Sequence, residues 1–373
     1  MGIQDDLALV LSGGGSRGAY QAGVIRALSD IQIEKQRSFS PQILTGISAG
    51  GINATFLASQ SHDWKRGAQR LSALWTRLRF NSVFRTDPFS LGQIGIKWIR
   101  DATIGSFVAR KYAQSLLETQ PLREYLRRGL PYHLIQDNIN KGHLKAVSVT
   151  SFCYTNTHSS TFFMGSDDLE EWQAGPRFGK RAELKIEHLM ASAAIPILFP
   201  PVQIGRQFFG DGCLRNDSPL SPAINLGANK LIVVGVSQSQ LEKKLDHDQF
   251  EPSVARIFGM ILNDLMLDAV DTDISRLQRI NEAISQQEER SSRFRHIDVL
   301  WLRPQQSIAR IAERHFASLP STIKYLLKGL GSSHEASEIA SYILFCSGYL
   351  RELIETGYKD TMSRKEEVLE FLK

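Results

Sequence analysis

Leu7-Ala8-Leu9-Val10-Leu11 runs into Ser12-Gly13-Gly14-Gly15-Ser16-Arg17-Gly18, and Ile43-Leu44-Thr45 runs into Gly46-Ile47-Ser48-Ala49-Gly50. Each is a short apolar run that breaks into a glycine-rich turn. A continuous apolar run is what a strand buried on both faces requires. Behind the first turn, Ala19, Ala22, Gly23, Ile25, Ala27 and Leu28 supply a helix face. Behind the second, Ala49 to Ser59 is again helical in pattern. Strand, helix and strand in so short a span make the βαβ unit of a parallel sheet. The chain is therefore expected to be α/β.

The two turns admit more than one chemistry. Gly46–Gly50 is a G-x-S-x-G after a strand and before a helix, the context of a nucleophile elbow. It reads equally as a tight turn with Ser48 capping a helix. Gly13, Gly15 and Gly18 match G-x-G-x-x-G, the dinucleotide fingerprint. That reading needs an acidic residue at the end of the second strand. Glu34 falls in the polar loop before that strand, which ends instead on Ser48. The same glycines suit another task, because uncovered backbone N–H groups at a helix start stabilise an anion. A serine that transfers acyl groups generates such an oxyanion. Adjacent parallel strands would place the Gly13–Gly18 turn beside Ser48 at the carboxyl edge of the sheet.

With 373 residues, 42% hydrophobic and 22% charged, the chain can bury a sizeable core, which excludes disorder and fibrous classes. Cys153, Cys213 and Cys346 are few and form no CxxC pair, so neither a disulfide framework nor a structural zinc is expected. No metal and no cofactor is expected. A reducing compartment fits. Met1–Asp6 has no basic or apolar leader character, and Asp6 breaks the myristoylation pattern. No apolar run approaches a membrane span. The net charge of +5 comes without a nucleic-acid-binding signature, so nucleic acid is not an expected partner.

Further along, Lys145–Cys153 and Ser160–Met164 read as strands, Arg181–Ala194 as a helix, and Lys230–Val236 and Ile297–Leu302 as strands. Val254–Ile284 reads as a long amphipathic helix with Val254, Ile257, Phe258, Ile261, Leu265, Ile274 and Leu277 near its apolar spacing. Asp271 and Asp273 read as its solvated face. After Pro304 the pattern is helical to the end.

A serine hydroxyl needs a base. None of the nine histidines sits in a glycine turn after a strand. His296 and His315 are the late candidates for a Ser-His-Asp esterase, and each suits a surface or capping role better. Asp211, in Phe208-Phe209-Gly210-Asp211-Gly212, leaves an apolar strand directly into a glycine turn. Alone, that is also an ordinary Asp-Gly hairpin.

Taken together, the separate blocks resemble the patatin-like phospholipase family. Leu11–Tyr20 is similar to its oxyanion block and Gly46–Ala54 to its nucleophile elbow. Ala191–Pro196 with Phe199-Pro200-Pro201 resembles the segment before its aspartate, and Asp211-Gly212 its D-G-[GA] motif. The resemblance spans roughly residues 5–240. It implies a three-layer α/β/α sandwich with a mostly parallel central sheet, of modified α/β-hydrolase type, plus a helical C-terminal extension. It implies a catalytic domain over 5–305, with an extension over 306–373 packing on it. It implies hydrolysis of acyl esters of phospholipids or other glycerolipids. Ser48 is then nucleophile and Asp211 base, with Gly13, Gly14 and Gly15 as the oxyanion hole. Arg17, Gly18, Gly46, Gly50 and Gly212 support them, Arg17 by ordering the loop or facing a lipid phosphate. Cys213 stands where the motif has Gly or Ala; it is small, and the turn is expected to survive.

The remaining expectations concern lipid and location. Lys65–Arg85 holds six basic residues and no acidic one, with Leu71, Leu74, Trp75 and Leu78 on one stripe. This fits a core-packing helix with a basic outer face, or a helix that meets an anionic lipid surface. Phe89–Ile104 reads as a lid. Ser341–Leu350 reads as core or homodimer contact rather than an anchor. The expected partners are lipid substrate and a peripheral membrane surface. The expected location is cytoplasmic, including the inner membrane face. The competing reading is a catalytically silent lipid- or nucleotide-binding module on the same fold.

Overall fold

A computed structural model describes residues 6–34, 40–85, 115–238, 251–286 and 295–373. The expected lid, Phe89–Ile104, lies outside the described residues. The strands are β1 (Leu7–Leu11), β2 (Ile43–Ile47), β3 (Ala146–Cys153), β4 (His158–Gly165), β5 (Trp172–Ala174), β6 (Arg177–Arg181), β7 (Val202–Ile204), β8 (Gln207–Asp211), β9 (Lys230–Val234) and β10 (Asp298–Leu302). The helices are α1 (Gly18–Glu34), α2 (Ala49–Ser59), α3 (Trp64–Arg77), α4 (Phe80–Val83), α5 (Gln120–Gly129), α6 (His133–Asn140) and α7 (Ile186–Ser192). They continue with α8 (Ser221–Asn225), α9 (Val254–Ser285), α10 (Ile308–Arg314), α11 (Ser321–Leu330), α12 (Ser337–Ile343), α13 (Ser347–Ser363) and α14 (Lys365–Phe371).

The sheet order is β10-β9-β1-β2-β3-β4-β6-β5, parallel from β10 through β3. Strand alternation divides the core into two layers. Leu7, Leu9 and Leu11 point into a large cluster with α1, α2, α3 and the C-terminal helices. Ala8 and Val10 point to the opposite face, against Leu220, Leu226, Val270 and Ile274. Every residue of β1 is buried, which is why its apolar run has no polar interruption. The architecture is a mixed, mostly parallel central sheet with helices on both faces and a helical C-terminal region.

One detail of topology positions the site. Along one edge of β3, β2 pairs only as far as Ile47↔Thr150. There β2 leaves the sheet for the turn at Ser48. The same edge is taken up by antiparallel β8, with Ser151↔Asp211. The end of β2 and the end of β8 therefore meet over adjacent residues of β3.

The structure corrects three expectations. Arg177–Arg181 is a strand paired with β4, so the expected helix from Arg181 begins only at Ile186. The open edge of β4 decides this, not local propensity. The long helix α9 forms as expected, but its inward face carries Ala255, Leu262, Met266, Val270, Ile274 and Leu277. Val254, Ile257 and Ile261 face solvent. Asp273 is buried, accepts the Leu220 N–H at 3.0 Å, and is pushed up by that burial. Asp271 pairs with Arg303 at 3.3 Å. These two carboxylates tie α9 to neighbouring segments rather than forming a solvated face. Ser341–Leu350 supplies core: Tyr342, Leu344, Tyr349 and Leu350 are fully buried.

Candidate active site

Ser48 sits at φ 53° and ψ −126°, in a region that L-residues avoid. The conformation is held by close backbone packing on either side. A Cβ on Gly46 would lie 2.2 Å from the Gly50 carbonyl oxygen, and one on Gly50 would lie 2.2 Å from that of Leu11. Only glycine fits at both positions, so the G-x-S-x-G spacing is a steric requirement of this turn. Strain at the tip of a strand–turn–helix is the geometry of a nucleophile elbow, and here the tip is buried. The Ser48 N–H is not free: it donates to Ser192 Oγ at 2.8 Å, and Ser192 Oγ donates to the Thr150 carbonyl at 2.6 Å. Ser192, fully buried at the end of α7, thereby fixes the elbow to β3.

The Gly13–Gly15 turn lies against this elbow. A Cβ on Gly13 would fall 3.2 Å from Ser48 Cβ and 2.5 Å from Cys213 Sγ. Arg17 orders the turn from behind. Its guanidinium is buried, bonds Ser341 Oγ at 2.8 Å and Glu338 at 2.7 Å, and stacks 4.0 Å from the Tyr342 ring centroid. Of the two roles expected of Arg17, its contacts to α12 fit the ordering of the loop, and its burial takes it away from any lipid phosphate. Gly18 packs against Ala49 and Trp75 where α1 begins.

Asp211 closes β8 fully buried. Its Oδ1 accepts the Cys213 N–H at 3.0 Å, and its own N–H donates to Ala194 O at 3.0 Å. Oδ2 has no hydrogen-bond partner. Burial pushes the carboxyl up to about 6, partly offset by the Cys213 N–H and by the nearby Ser48 hydroxyl and Cys213 thiol. Neither side chain closes a full hydrogen bond to Oδ2. Gly212 allows β8 to turn beneath Thr150, whose carbonyl would be 2.4 Å from a Cβ there. The Cys213 thiol is buried and pushed well above its usual value by that burial, so it stays protonated.

From Ser48 a cavity opens between α2, α3 and α5. Its walls are apolar, among them Ile52, Trp75, Leu78, Leu126, Ile195 and Phe345.

The patatin-like phospholipase family matches residues 9–224, more than half of the chain. The chain belongs to this family. No curated protein matches the chain. Among solved structures, VipD from Legionella pneumophila is similar at 15% identity, over 98% of this chain and 67% of that one, with a TM-score of 0.36. The type III effector protein ExoU is similar at 14% identity, over 94% of this chain and 53% of that one, with a TM-score of 0.32. The chain thus spans about two thirds of the VipD chain and half of the ExoU chain.

Of the residues assigned from sequence, Gly13, Gly14, Gly15, Gly18, Gly46, Gly50, Gly212 and Asp211 lie in the turns packed around Ser48, while the Arg17 guanidinium points away to Glu338, Ser341 and Tyr342. The two histidine candidates do not join them. His296 pairs with Asp298 at 3.2 Å, and His315 with Glu352 at 2.6 Å. Sequence reading missed Ser192, Glu338 and Ser341, which act across long chain separations. It also missed a buried network in which Trp75 Nε1 donates to Asn53 Oδ1 at 2.7 Å, and Asn53 Nδ2 donates to Gln21 Oε1 at 2.9 Å. Gln21 Nε2 donates on to Ser12 O at 2.9 Å. The available signal was a polar residue on the buried face of each of α1 and α2.

Proposed function

We propose that the protein is a serine lipid acyl hydrolase that cleaves acyl esters of phospholipids or other glycerolipids through a Ser48–Asp211 dyad. The observation that carries this reading is the buried Asp211 carboxyl, with Oδ2 unpartnered and the Ser48 hydroxyl beside it, at the head of an apolar cavity. Family membership supports lipid hydrolysis as the general activity.

In this mechanism Asp211 takes the Ser48 proton as Ser48 Oγ attacks the ester carbonyl. Backbone N–H groups of the Gly13–Gly15 turn stabilise the tetrahedral oxyanion. Collapse breaks the ester C–O bond, and the proton held by Asp211 passes to the departing alcohol. The acyl-enzyme is then hydrolysed by a water that Asp211 deprotonates. The acyl chain lies along the apolar cavity, which would exclude a charged acid component. A base raised to about 6 is well matched to proton transfer near neutrality and stays ionised above that pH.

Turnover of a p-nitrophenyl ester, followed by fatty-acid release from mixed lipid micelles, tests the reading. No turnover of either would leave a catalytically silent lipid-binding module. The pH dependence follows from the sign of the Asp211 shift. The base works ionised, so kcat/KM should rise with pH through about 6 and level off above it. A flat profile across that range would remove Asp211 as the base.

A further inference from the structure

The apolar cavity at Ser48 meets a second hollow. On α2, Ala49 and Ile52 line the cavity, while Phe56 lines a groove whose rim reaches the surface. Three and seven residues apart, these side chains share one helix face. The cavity therefore runs along α2 away from Ser48. Phe56 lies eight residues beyond Ser48, about 12 Å at the helical rise. Among the described residues, Leu74 of α3 and Tyr125 of α5 are the two that line both spaces.

Helical spacing puts the partition there. On α3, Leu71 and Trp75 are buried and Leu74 lies at the margin of their stripe. On α5, Leu122 and Leu126 are buried and Tyr125 lies at the margin. Both marginal residues are half-buried, with one side toward the cavity and the other toward the groove. They are also fastened to each other. The Tyr125 hydroxyl donates to the Leu74 carbonyl at 3.0 Å. Burial raises this phenol above its usual value, partly offset by Arg77 and Arg79, so it keeps its proton and remains a donor. The Leu74 side chain reaches across to α5, with Cδ1 3.8 Å from where a Cβ on Gly129 would lie.

The two sides of the partition differ in chemistry. Toward Ser48, Ile52, Leu78 and Leu126 present apolar walls. On the far side the groove carries Arg70, Arg77, Glu124 and Arg128, all exposed. Each methylene gains from leaving water for the first space and little from entering the second. An alkyl chain that grew past Leu74 and Tyr125 would have to part them and would then lie in a charged, hydrated groove. The partition is thus a stop for the chain.

We propose that Leu74 and Tyr125 are specificity-determining residues that close the acyl cavity and restrict the protein to acyl chains of medium length, near octanoyl. This limit rests on the hydrolase reading above and names the acyl class of its substrate. An octanoyl chain fits within the roughly 12 Å between Ser48 and the level of Phe56, and a palmitoyl chain exceeds it.

The test is kcat/KM for p-nitrophenyl butyrate, octanoate and palmitate in one detergent solution. Wild type should favour octanoate over palmitate by at least about tenfold, the discrimination that a misfit in an apolar pocket supports. Leu74→Ala opens the partition and should raise the palmitate-to-octanoate ratio by at least about tenfold. Leu74→Phe thickens it and should lower the octanoate-to-butyrate ratio. Tyr125→Phe keeps the ring but loses the bond to α3, and should raise the palmitate ratio by less than Leu74→Ala does. Each ratio is read within one preparation, so a loss of folded protein cancels. Opposite shifts in the two Leu74 variants separate a chain stop from a general loosening, and if one of them fails to fold the other decides. Equal use of octanoate and palmitate by wild type would overturn the proposal, as would ratios unmoved by the Leu74 substitutions. If wild type turns over no ester, the hydrolase reading falls by itself and the length limit is read from binding. Titration with octanoic and palmitic acids, followed by tryptophan fluorescence with Trp75 in the cavity wall, then applies. Tighter octanoic acid in wild type, with that preference lost in Leu74→Ala, would uphold the stop. Absence of the preference in wild type would overturn it.

Discussion

Ser48→Ala and Asp211→Asn should each lower kcat/KM for ester hydrolysis by at least about 10⁴-fold, with the double variant little worse than either. The two groups act as a unit, because removal of the base leaves Ser48 an ordinary hydroxyl. Asp211→Asn is the sharper test, since a folding defect can be excluded by sign. Burial raises the Asp211 carboxyl to about 6, above its unfolded value, so its ionisation opposes folding as pH rises through about 6. Asparagine removes that buried charge. The melting temperature at pH 8 should therefore not fall, even as activity disappears. Substantial hydrolysis by a folded Asp211→Asn protein would take the role of base away from this residue. Ser192→Ala should act more mildly, because it frees the Ser48 N–H from its anchor on β3 while leaving both reacting groups present.

Gly14→Val should reduce kcat by about 10²–10³-fold, the loss expected when an oxyanion donor is displaced. Gly14 holds φ 152°, and a Cβ there would lie 2.6 Å from Val236 Cγ2. A β-branched residue cannot take that position unless the turn shifts away from Val236. The turn is pinned on its other side by the Arg17–Glu338 pair and by the Ser16 hydroxyl, which donates to Ser341 O at 2.8 Å. The displacement is thus confined to the backbone that faces Ser48. The negative charge develops only in the transition state, so KM should change far less than kcat. Steady-state kinetics on a soluble ester separate the two. An unchanged kcat would place the donors outside the Gly13–Gly15 turn.

The patterns that act within a few residues were legible in the sequence. LALVL and ILTGI had to be buried strands, and the glycines around Ser48 and after Leu11 had to be turns that open helices. The chain order of the blocks around Ser48 and Asp211 then identified the patatin-like family, and the family match over 9–224 agrees. What acts between distant segments was decided by the tertiary structure. Asp211 reaches Ser48 because β8 takes the edge of β3 that β2 vacates at Thr150. Nothing in Phe208–Gly212 encodes that pairing. From sequence, Arg17 could either order the loop or face a lipid phosphate; α12 decides for the loop by bringing Glu338 and Ser341 to it across more than 320 residues. Ser192 reads as one more small residue until Thr150 and the Ser48 N–H converge on its hydroxyl. The face of α9 that meets the core could not be chosen from its own periodicity, because apolar residues surround its first turns. Burial against Gly13 and Leu220 selected the Met266–Val270–Ile274 row and left Ile257 and Ile261 outside. Local propensity and glycine sterics act over a turn or a strand. Edge pairing, buried polar satisfaction and the choice between two apolar faces depend on neighbours supplied from elsewhere in the chain.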